Sequence, residues 1–131
     1  MRDIKFRGID TITGKFVNGN LFIKNENSPN TQYYIIYRFA DELTFTEVLG
    51  NTIGQFTGLV DKNGVMVYEG DIVIVDGREG DVYYDRYAFA VRHFYKTSYD
   101  TPGDAFSESD DIEVLGNIYE NKDLRRTSHY V

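Results

Sequence analysis

Carboxylates are the most numerous side chains of this sequence that could take part in chemistry, at 21 of 131 residues. Clustered carboxylates can hold a divalent cation, and a paired set can act as general acid and base. The densest group lies in the segment 98–111 and has five members: Asp100, Asp104, Glu108, Asp110 and Asp111. This acidic loop holds no Lys or Arg, and its Ser, Thr, Pro and Gly residues cannot bury a core. A solvated loop is therefore favoured, with a bound metal ion as the alternative.

A second oxygen-rich segment, from Asp61 to Glu69, bears a loose likeness to a calcium loop. An EF-hand places Gly at the sixth position and a bidentate Glu at the twelfth, between two helices. In Asp61-Lys-Asn-Gly64 the Gly is fourth, and strand-like residues stand on both sides. Asn63-Gly64 between two apolar runs is typical of a β-hairpin with a type I′ turn, in which both residues have positive φ. We predict this hairpin and no calcium site.

Other arrangements that support catalysis are missing from the sequence. The chain has no cysteine, which excludes disulfides, thiolate metal sites and a Cys nucleophile. Its two histidines are too few for a His-rich metal site, and the pattern around His93 places it on the core side of a strand. Neither a phosphate-binding loop nor a nucleophile elbow occurs. We expect no catalytic residues, no cofactor and no metal site, and a protein that is not an enzyme.

The net charge of −7 belongs to one part of the chain. Residues 1–60 contain six basic and six acidic side chains, whereas residues 61–131 contain eight basic and fifteen acidic ones. An acidic surface repels phosphate backbones, so binding to duplex nucleic acid is not expected. No window reaches the ~18 apolar residues of a membrane span, and Met1 leads into charged residues. We expect a soluble, cytoplasmic protein with no membrane partner.

Short strands are the elements that must position these side chains. Alternating apolar and polar residues, and runs rich in Tyr, Val and Ile, recur between turns rich in Gly, Asn and Asp. Residues 32–39 are apolar on both faces of the predicted strand. The segments 70–75 and 80–84 resemble the opening strands of small SH3-like barrels. The pattern predicts a single all-β domain with little helix: an N-terminal β part (1–60) and an SH3-like barrel part (61–131).

One predicted strand, 82–96, carries the candidate contact site. If it is continuous, its even positions share one face, opposite Tyr87, Phe89 and Val91. Cationic side chains are costly in a core, so this row should face solvent or a partner. The candidate partner-contact face consists of Tyr84, Arg86, Arg92 and Lys96. The alternative is that these cations neutralise Asp81, Asp85 or Glu79.

Several motifs together resemble the YopX proteins, which are small proteins encoded by bacteriophages and prophages. They occur in the family's order along the chain: Arg2-Asp-Ile-Lys-Phe-Arg7, Thr52-Ile-Gly-Gln-Phe-Thr-Gly-Leu59, Asp61-Lys-Asn-Gly64, Val67-Tyr-Glu-Gly-Asp-Ile-Val73 and Val114-Leu-Gly-Asn-Ile-Tyr-Glu-Asn121. Two positions depart from the family pattern. Gly8-Ile9 stands where Ala-Trp is common, and Lys122 stands where a Pro often follows.

The resemblance implies a phage or prophage origin, a β-rich fold with an SH3-like barrel, and self-association. It implies no activity and no catalytic residues, because the function of the family is unknown. Together with the Tyr-rich composition and the exposed strand edges expected here, it favours a non-enzymatic accessory protein. Such a protein acts by contact, as a homo-oligomer or with a host or phage protein. The alternative is a single-stranded nucleic-acid-binding β-barrel protein, with Tyr and Phe as stacking platforms.

Overall fold

The computed structural model describes residues 4–85, 88–93, 104–105 and 111–121. These ranges fold almost entirely into antiparallel strands, with a short 3₁₀ turn at Gly50–Thr52, which confirms the all-β class. The strands are β1 (Phe6–Ile9), β2 (Phe16–Lys24), β3 (Gln32–Phe39), β4 (Glu42–Val48), β5 (Gly54–Val60), β6 (Met66–Tyr68), β7 (Asp71–Val75), β8 (Arg78–Asp85), β9 (Ala88–His93), β10 (Asp104–Ala105) and β11 (Ile112–Asn117). The chain divides into two compact units, Met1–Phe56 and Thr57–Val131. This division falls within β5, whereas the sequence predicts the boundary at the end of β5, after residue 60.

In the first unit, β4, β3, β2, β1 and the start of β5 are neighbours in that order. The registers of β2 with β3 and of β3 with β4 place Phe22, Tyr34 and Glu47 side by side in one row. Residues directly opposite each other share a face, so each such row belongs to one side of the sheet. The other side carries the core of this unit, where Ile35 is fully buried and Val48 is nearly so.

The residues that follow β1 contact the end of β4, although β2 and β3 lie between these two strands in the sheet. Asp10 forms a β-bridge with Val48, and the Leu49 N–H donates to the Ile9 carbonyl at 2.9 Å. The buried Thr52 hydroxyl accepts the Ile9 N–H at 2.9 Å and donates to the Leu49 carbonyl at 2.6 Å. The Thr that opens the second YopX-like motif therefore ties the 3₁₀ turn to β1.

In the second unit, β10, β9, β8, β7 and β11 form a sheet in that order. Its core is a cluster of buried aliphatic side chains: Val67, Val73, Val75, Val82, Val91 and Ile112. The strands are consistent with the predicted β-rich part 61–131. In the described pairings β10 and β11 are the two edges of the sheet, so closure into an SH3-like barrel stays a prediction.

The turn between β5 and β6 is a hairpin, as predicted, but its type differs from the prediction. Gly64 has φ +81°, whereas Asn63 is not among the residues with positive φ. The Gly64 N–H donates to the Asp61 carbonyl at 3.0 Å, and the Asp61 N–H donates to the Val65 carbonyl at 2.7 Å. This is a type I turn followed by a left-handed glycine, the usual three-residue hairpin loop. The type I′ prediction is wrong here because the Asp61 side chain organises a longer loop.

Two-residue turns with positive φ at both positions occur elsewhere. Asp76-Gly77, between β7 and β8, has φ of +50° and +85°. Ala40-Asp41, between β3 and β4, has φ of +51° and +65°. The first pair follows the Asp-Gly preference of type I′ turns. The second places an alanine in the left-handed region, which costs free energy because its Cβ crowds the backbone.

Candidate functional site

The predicted contact face is built on a strand that the structure divides in two. β8 ends at Asp85, β9 begins at Ala88, and these two residues pair with each other across an antiparallel hairpin. The prediction of one continuous strand over 82–96 is therefore wrong. The reversal has no Gly, Pro or Asn to signal it in the sequence. Arg86 and Lys96 lie outside the described residues.

The register of the hairpin separates the two remaining members of the predicted face. Tyr84 lies opposite Phe89, and Arg92 lies opposite Asp81. Since successive residues of a strand point to opposite sides, Tyr84 and Arg92 lie on different faces. The Tyr84 ring is half exposed and packs edge-on against the Phe89 ring, with centroids 4.9 Å apart. The expectation that Tyr84 faces away from Phe89 is also wrong.

Arg92 neutralises a buried carboxylate. Its Nη2 and Nε lie 3.0 and 3.4 Å from the two oxygens of Asp81, a residue only 2% exposed. The guanidinium also stacks over the Tyr83 ring, 4.6 Å from the centroid. Hydrogen bonding to Asp81 raises the pKa of Arg92 above its ordinary value. This arrangement is the neutralising alternative that the sequence left open, and it gives Arg92 a structural role.

The loop with a likeness to a calcium site uses its carboxylate internally. Asp61 is 5% exposed, and its Oδ1 accepts the N–H groups of Asn63 and Val65, both at 2.8 Å. Its Oδ2 accepts the Val114 N–H of β11 at 2.9 Å. Both oxygens are thus committed to fixing the hairpin loop and joining it to β11. In the described part of the chain, no three His, Asp or Glu side chains gather as metal ligands would.

His93 lies on the same face of β9 as the buried Val91, as predicted. With Gly77, Arg78 and Glu79 it lines a pocket of about 180 Å³. Typical small-molecule sites occupy roughly 300–1,000 Å³ and are mostly apolar. This pocket is smaller than such sites, and we assign it no ligand.

An exposed apolar surface lies on strands β2, β3 and β4 of the first unit. Three rows of opposed residues share the side of β2, β3 and β4 that faces away from Ile35. Their large apolar members form what we call the apolar face: Phe22, Tyr34, Ile36, Leu43 and Phe45. Leu43 is 58% exposed, Phe45 54% and Phe22 43%, so the surface is open rather than covered.

The rings of the apolar face touch one another. Phe22 lies 6.2 Å from Tyr34 and 6.3 Å from Phe45 between ring centroids, the second pair edge-to-face. Such contacts fix the rings relative to one another although the surrounding surface is exposed. Contiguous exposed apolar side chains on a sheet mark a contact site more often than scattered ones do.

Polar groups frame the apolar face at both ends. Gln32 and Lys24 are opposed at one end, and the Gln32 amide donates to the Glu47 carboxylate at 3.5 Å. Arg38, opposite Leu43, lies at the other end and is exposed. An apolar centre with a charged rim is the usual composition of a protein interface.

The apolar face was not among the residues predicted as a site. The signal for it was the strand 32–39, whose residues are apolar on both faces. One of those faces carries Ile35 and the core, and the other carries Tyr34 and Ile36. A strand that is apolar on both faces indicates either two covered sides or one side available for contact.

In the part of the chain that the structure describes, no helix is long and apolar enough to cross a membrane. The model of the family described as "YopX protein" matches residues 5–124, so the chain belongs to the YopX family. No curated protein matches the chain. The crystal structure of protein EF1440 from Enterococcus faecalis matches with a TM-score of 0.57 at 24% identity, over 95% of this chain and 99% of that one. The likeness to EF1440 concerns the fold alone.

Proposed function

We propose that this YopX-family protein is a phage or prophage accessory protein of the bacterial cytoplasm that acts without catalysis, by binding protein through the apolar face. The partner is either another copy of the chain or a host or phage protein. The observation that carries the proposal is the exposed surface made by Phe22, Leu43 and Phe45 with Tyr34 and Ile36 between them. Phe22, Leu43 and Phe45 are about half exposed, so a partner that buried them would gain about half of the 1.5–3 kcal/mol of full burial, or roughly 0.7–1.5 kcal/mol for each side chain.

The contacts of the buried carboxylates support a function without catalysis. Three carboxylates are buried in the described part of the chain, and all are engaged: Asp61 and Asp71 accept backbone N–H groups, and Asp81 pairs with Arg92. The first unit also carries balanced charge, six basic against six acidic residues in 1–60. A neutral surface with an apolar centre binds through desolvation rather than through long-range attraction.

Site-specific photocrosslinking tests this function. A photoreactive phenylalanine analogue is placed at Phe45 in one sample and, as control, at the exposed Lys15 in another, in the full chain expressed in a bacterial host. Protein adducts should form at position 45 in a defined band and not at position 15. Equal, diffuse labelling at both positions would contradict contact through the apolar face.

The three aromatic rings also favour a second candidate function, binding of single-stranded nucleic acid. Phe22, Tyr34 and Phe45 resemble a stacking platform, with Lys24 and Arg38 at its two ends. Fluorescence anisotropy with an oligothymidine at low salt tests this candidate. It requires binding at tens of micromolar or tighter that is lost in Phe22→Ser and unchanged in Phe39→Ser, a ring on the opposite side of the same sheet.

A further inference from the structure

We propose that the free edge of β4, the side of this strand that faces away from β3, binds an extended segment of a different protein as an added antiparallel strand. The inference rests on the proposed function and adds to it the kind of partner and the geometry of contact. Three observations support it: backbone groups of β4 that β3 leaves unpaired, the absence of side chains that block strand pairing, and the charge along β4.

The pairing of β4 with β3 decides which backbone groups of β4 point to its free edge. Phe39 and Glu42 flank a two-residue turn, so they form the hydrogen-bonded pair that closes this hairpin. Hydrogen-bonded and non-hydrogen-bonded pairs alternate in an antiparallel ladder, so the N–H and C=O groups of Leu43 and Phe45 point to the free edge. In the part of the chain that the structure describes, these four groups have no hydrogen-bond partner.

The chain itself pairs with the far end of this edge. The Thr11 N–H donates to the Glu47 carbonyl at 3.1 Å, and the Leu49 N–H donates to the Ile9 carbonyl at 2.9 Å. Both bonds are made on the side of β4 that faces away from β3, as the alternation requires. The stretch left for a partner is Glu42–Thr46, which is about 16 Å long at ~3.3 Å per residue.

β4 lacks the devices that commonly protect an edge strand, which are Lys, Pro and β-bulges. Its residues Glu42–Val48 include no Lys, Pro or Gly, and they pair with β3 without a register shift. β11, an edge strand of the second unit, is protected by contrast. The Lys62 N–H donates to the Ile112 carbonyl at 3.0 Å, the Val114 N–H donates to the Asp61 carboxylate, and the pairing of β11 with β7 contains an irregularity.

The side chains of β4 define the sequence that the edge favours in a partner. Five residues of an added antiparallel strand lie opposite Thr46, Phe45, Thr44, Leu43 and Glu42, in this order. Directly opposed residues share a face, so the second and fourth residues of the segment extend the apolar face beside Phe45 and Leu43. The first and third lie beside threonines, and the fifth lies beside Glu42. The favoured segment alternates polar and apolar residues and ends in Lys or Arg.

The charge along β4 favours a different protein over a second copy of this chain. The charged side chains from Asp41 to Val48 are all acidic. Two β4 strands that use the outward groups of both Leu43 and Phe45 place these two residues opposite each other, and Glu47 of each copy then lies opposite Asp41 of the other. Like charges directly opposite each other destabilise strand pairing, whereas a segment with a basic end gains an opposite-charge pair at Glu42.

Fluorescence anisotropy with a synthetic peptide and the full chain tests the proposal. The probe is fluorescein-labelled Thr-Val-Thr-Ile-Lys, for which we expect saturable binding in the micromolar to millimolar range. N-methylation of its second or fourth residue, whose N–H faces β4, should weaken binding at least about tenfold. N-methylation of the third residue, whose N–H faces away from β4, should leave binding within about threefold.

Variants of β4 test the same contact from the other side. Leu43→Pro removes an outward N–H without removing a hydrogen bond to β3, and it should weaken peptide binding at least about tenfold. Leu43→Val keeps this N–H and an apolar side chain, so it is the matched control and should stay within about threefold. Glu42→Lys should bind a peptide that ends in Glu better than the one that ends in Lys. Circular dichroism confirms that each variant is folded.

The outcomes separate the strand geometry from the contact function itself. Equal effects of N-methylation at all three positions would overturn strand pairing, and crosslinks from position 45 would then retain the apolar face as a contact surface. No saturable binding of the peptide at millimolar concentration would overturn an extended segment as the partner. Self-association that Leu43→Pro abolishes and Leu43→Val retains would assign the edge to a second copy. The absence of specific crosslinks from position 45 would overturn the proposed function as well.

Discussion

Replacing Asp61 by Asn should destabilise the protein by about 2–3 kcal/mol. The side chain is 5% exposed and accepts three backbone N–H groups, two on Oδ1 and one, from Val114, on Oδ2. Asn keeps the first oxygen and its two bonds, but its NH₂ group stands where Oδ2 accepted the Val114 N–H. One bond to a charged acceptor, worth about 1.5–3 kcal/mol, is lost, and a buried N–H is left facing another donor.

Thermal and urea unfolding followed by circular dichroism measures this effect. For a chain of this length we expect the melting temperature to fall by about 10 °C at pH 7. Asp41→Asn is the matched control, because Asp41 is exposed and Asn tolerates its positive φ. A change within about 0.5 kcal/mol for Asp61→Asn would refute the role assigned to this carboxylate.

The same carboxylate predicts a pH dependence. Burial, the largest single contribution, raises the pKa of Asp61, but the N–H groups of Val114, Val65 and Asn63 and the charge of Lys62 together hold it below its ordinary value. A pKa that is lower in the folded chain stabilises the fold above the unfolded pKa of about 3.9, and this contribution is lost as the pH falls through the folded value. The difference between the unmodified chain and Asp61→Asn should therefore shrink below about pH 4. A difference that grows there would contradict the assignment.

Three further substitutions have definite expected outcomes in urea unfolding. Thr52→Val removes the acceptor of the Ile9 N–H and the donor to a carbonyl, and should cost about 1.5–3 kcal/mol. Ala40→Gly removes an alanine from the left-handed region and should raise the free energy of unfolding by about 0.5–1 kcal/mol. Ala88→Gly, in β9, is its control and should lower the free energy of unfolding. Arg92→Glu places a second negative charge beside the buried Asp81 and should cost about 2–4 kcal/mol.

Each of these outcomes can fail in a specific way. Thr11→Val, at an exposed threonine, is the control for Thr52→Val, and equal effects would show that the two hydroxyl bonds contribute nothing. A loss of stability in Ala40→Gly would mean that the turn does not hold an alanine at positive φ. An Arg92→Glu variant as stable as the unmodified chain would return Arg92 to the set of residues free to meet a partner.

Local chemistry explains why much of the fold could be predicted. Strand alternation identified most of the strands, and the β5–β6 hairpin followed from Asn63-Gly64 between two apolar runs. The turn type was missed because it depends on Asp61, whose side chain accepts two N–H groups from within the loop. The type I′ turn at Ala40-Asp41 lacks the Asn-Gly or Asp-Gly pair from which such a turn is predicted.

The candidate site was harder to predict because it depends on long-range pairing. Between β8, which ends at Asp85, and β9, which begins at Ala88, the sequence has no Gly, Pro or Asn, so Asp85 is the one weak signal of a bend. That reversal placed Arg92 beside Asp81 and moved Tyr84 to the other face. The sequence shows that the strand 32–39 is apolar on both faces. Which face stays exposed depends on long-range packing in the first unit, which buries the face that carries Ile35 and Val48.

Hydroxyl-radical footprinting tests the contact function of the apolar face most directly, because it does not require the partner to be known. Oxidation of Phe22, Tyr34 and Phe45 is compared between dilute purified protein and protein in bacterial cells, with Phe39, 70% exposed on the opposite side of the same sheet, as internal reference. We expect at least about fivefold lower oxidation of the three rings in cells, and unchanged oxidation of Phe39. Oxidation of the three rings that is equal in both samples would contradict it.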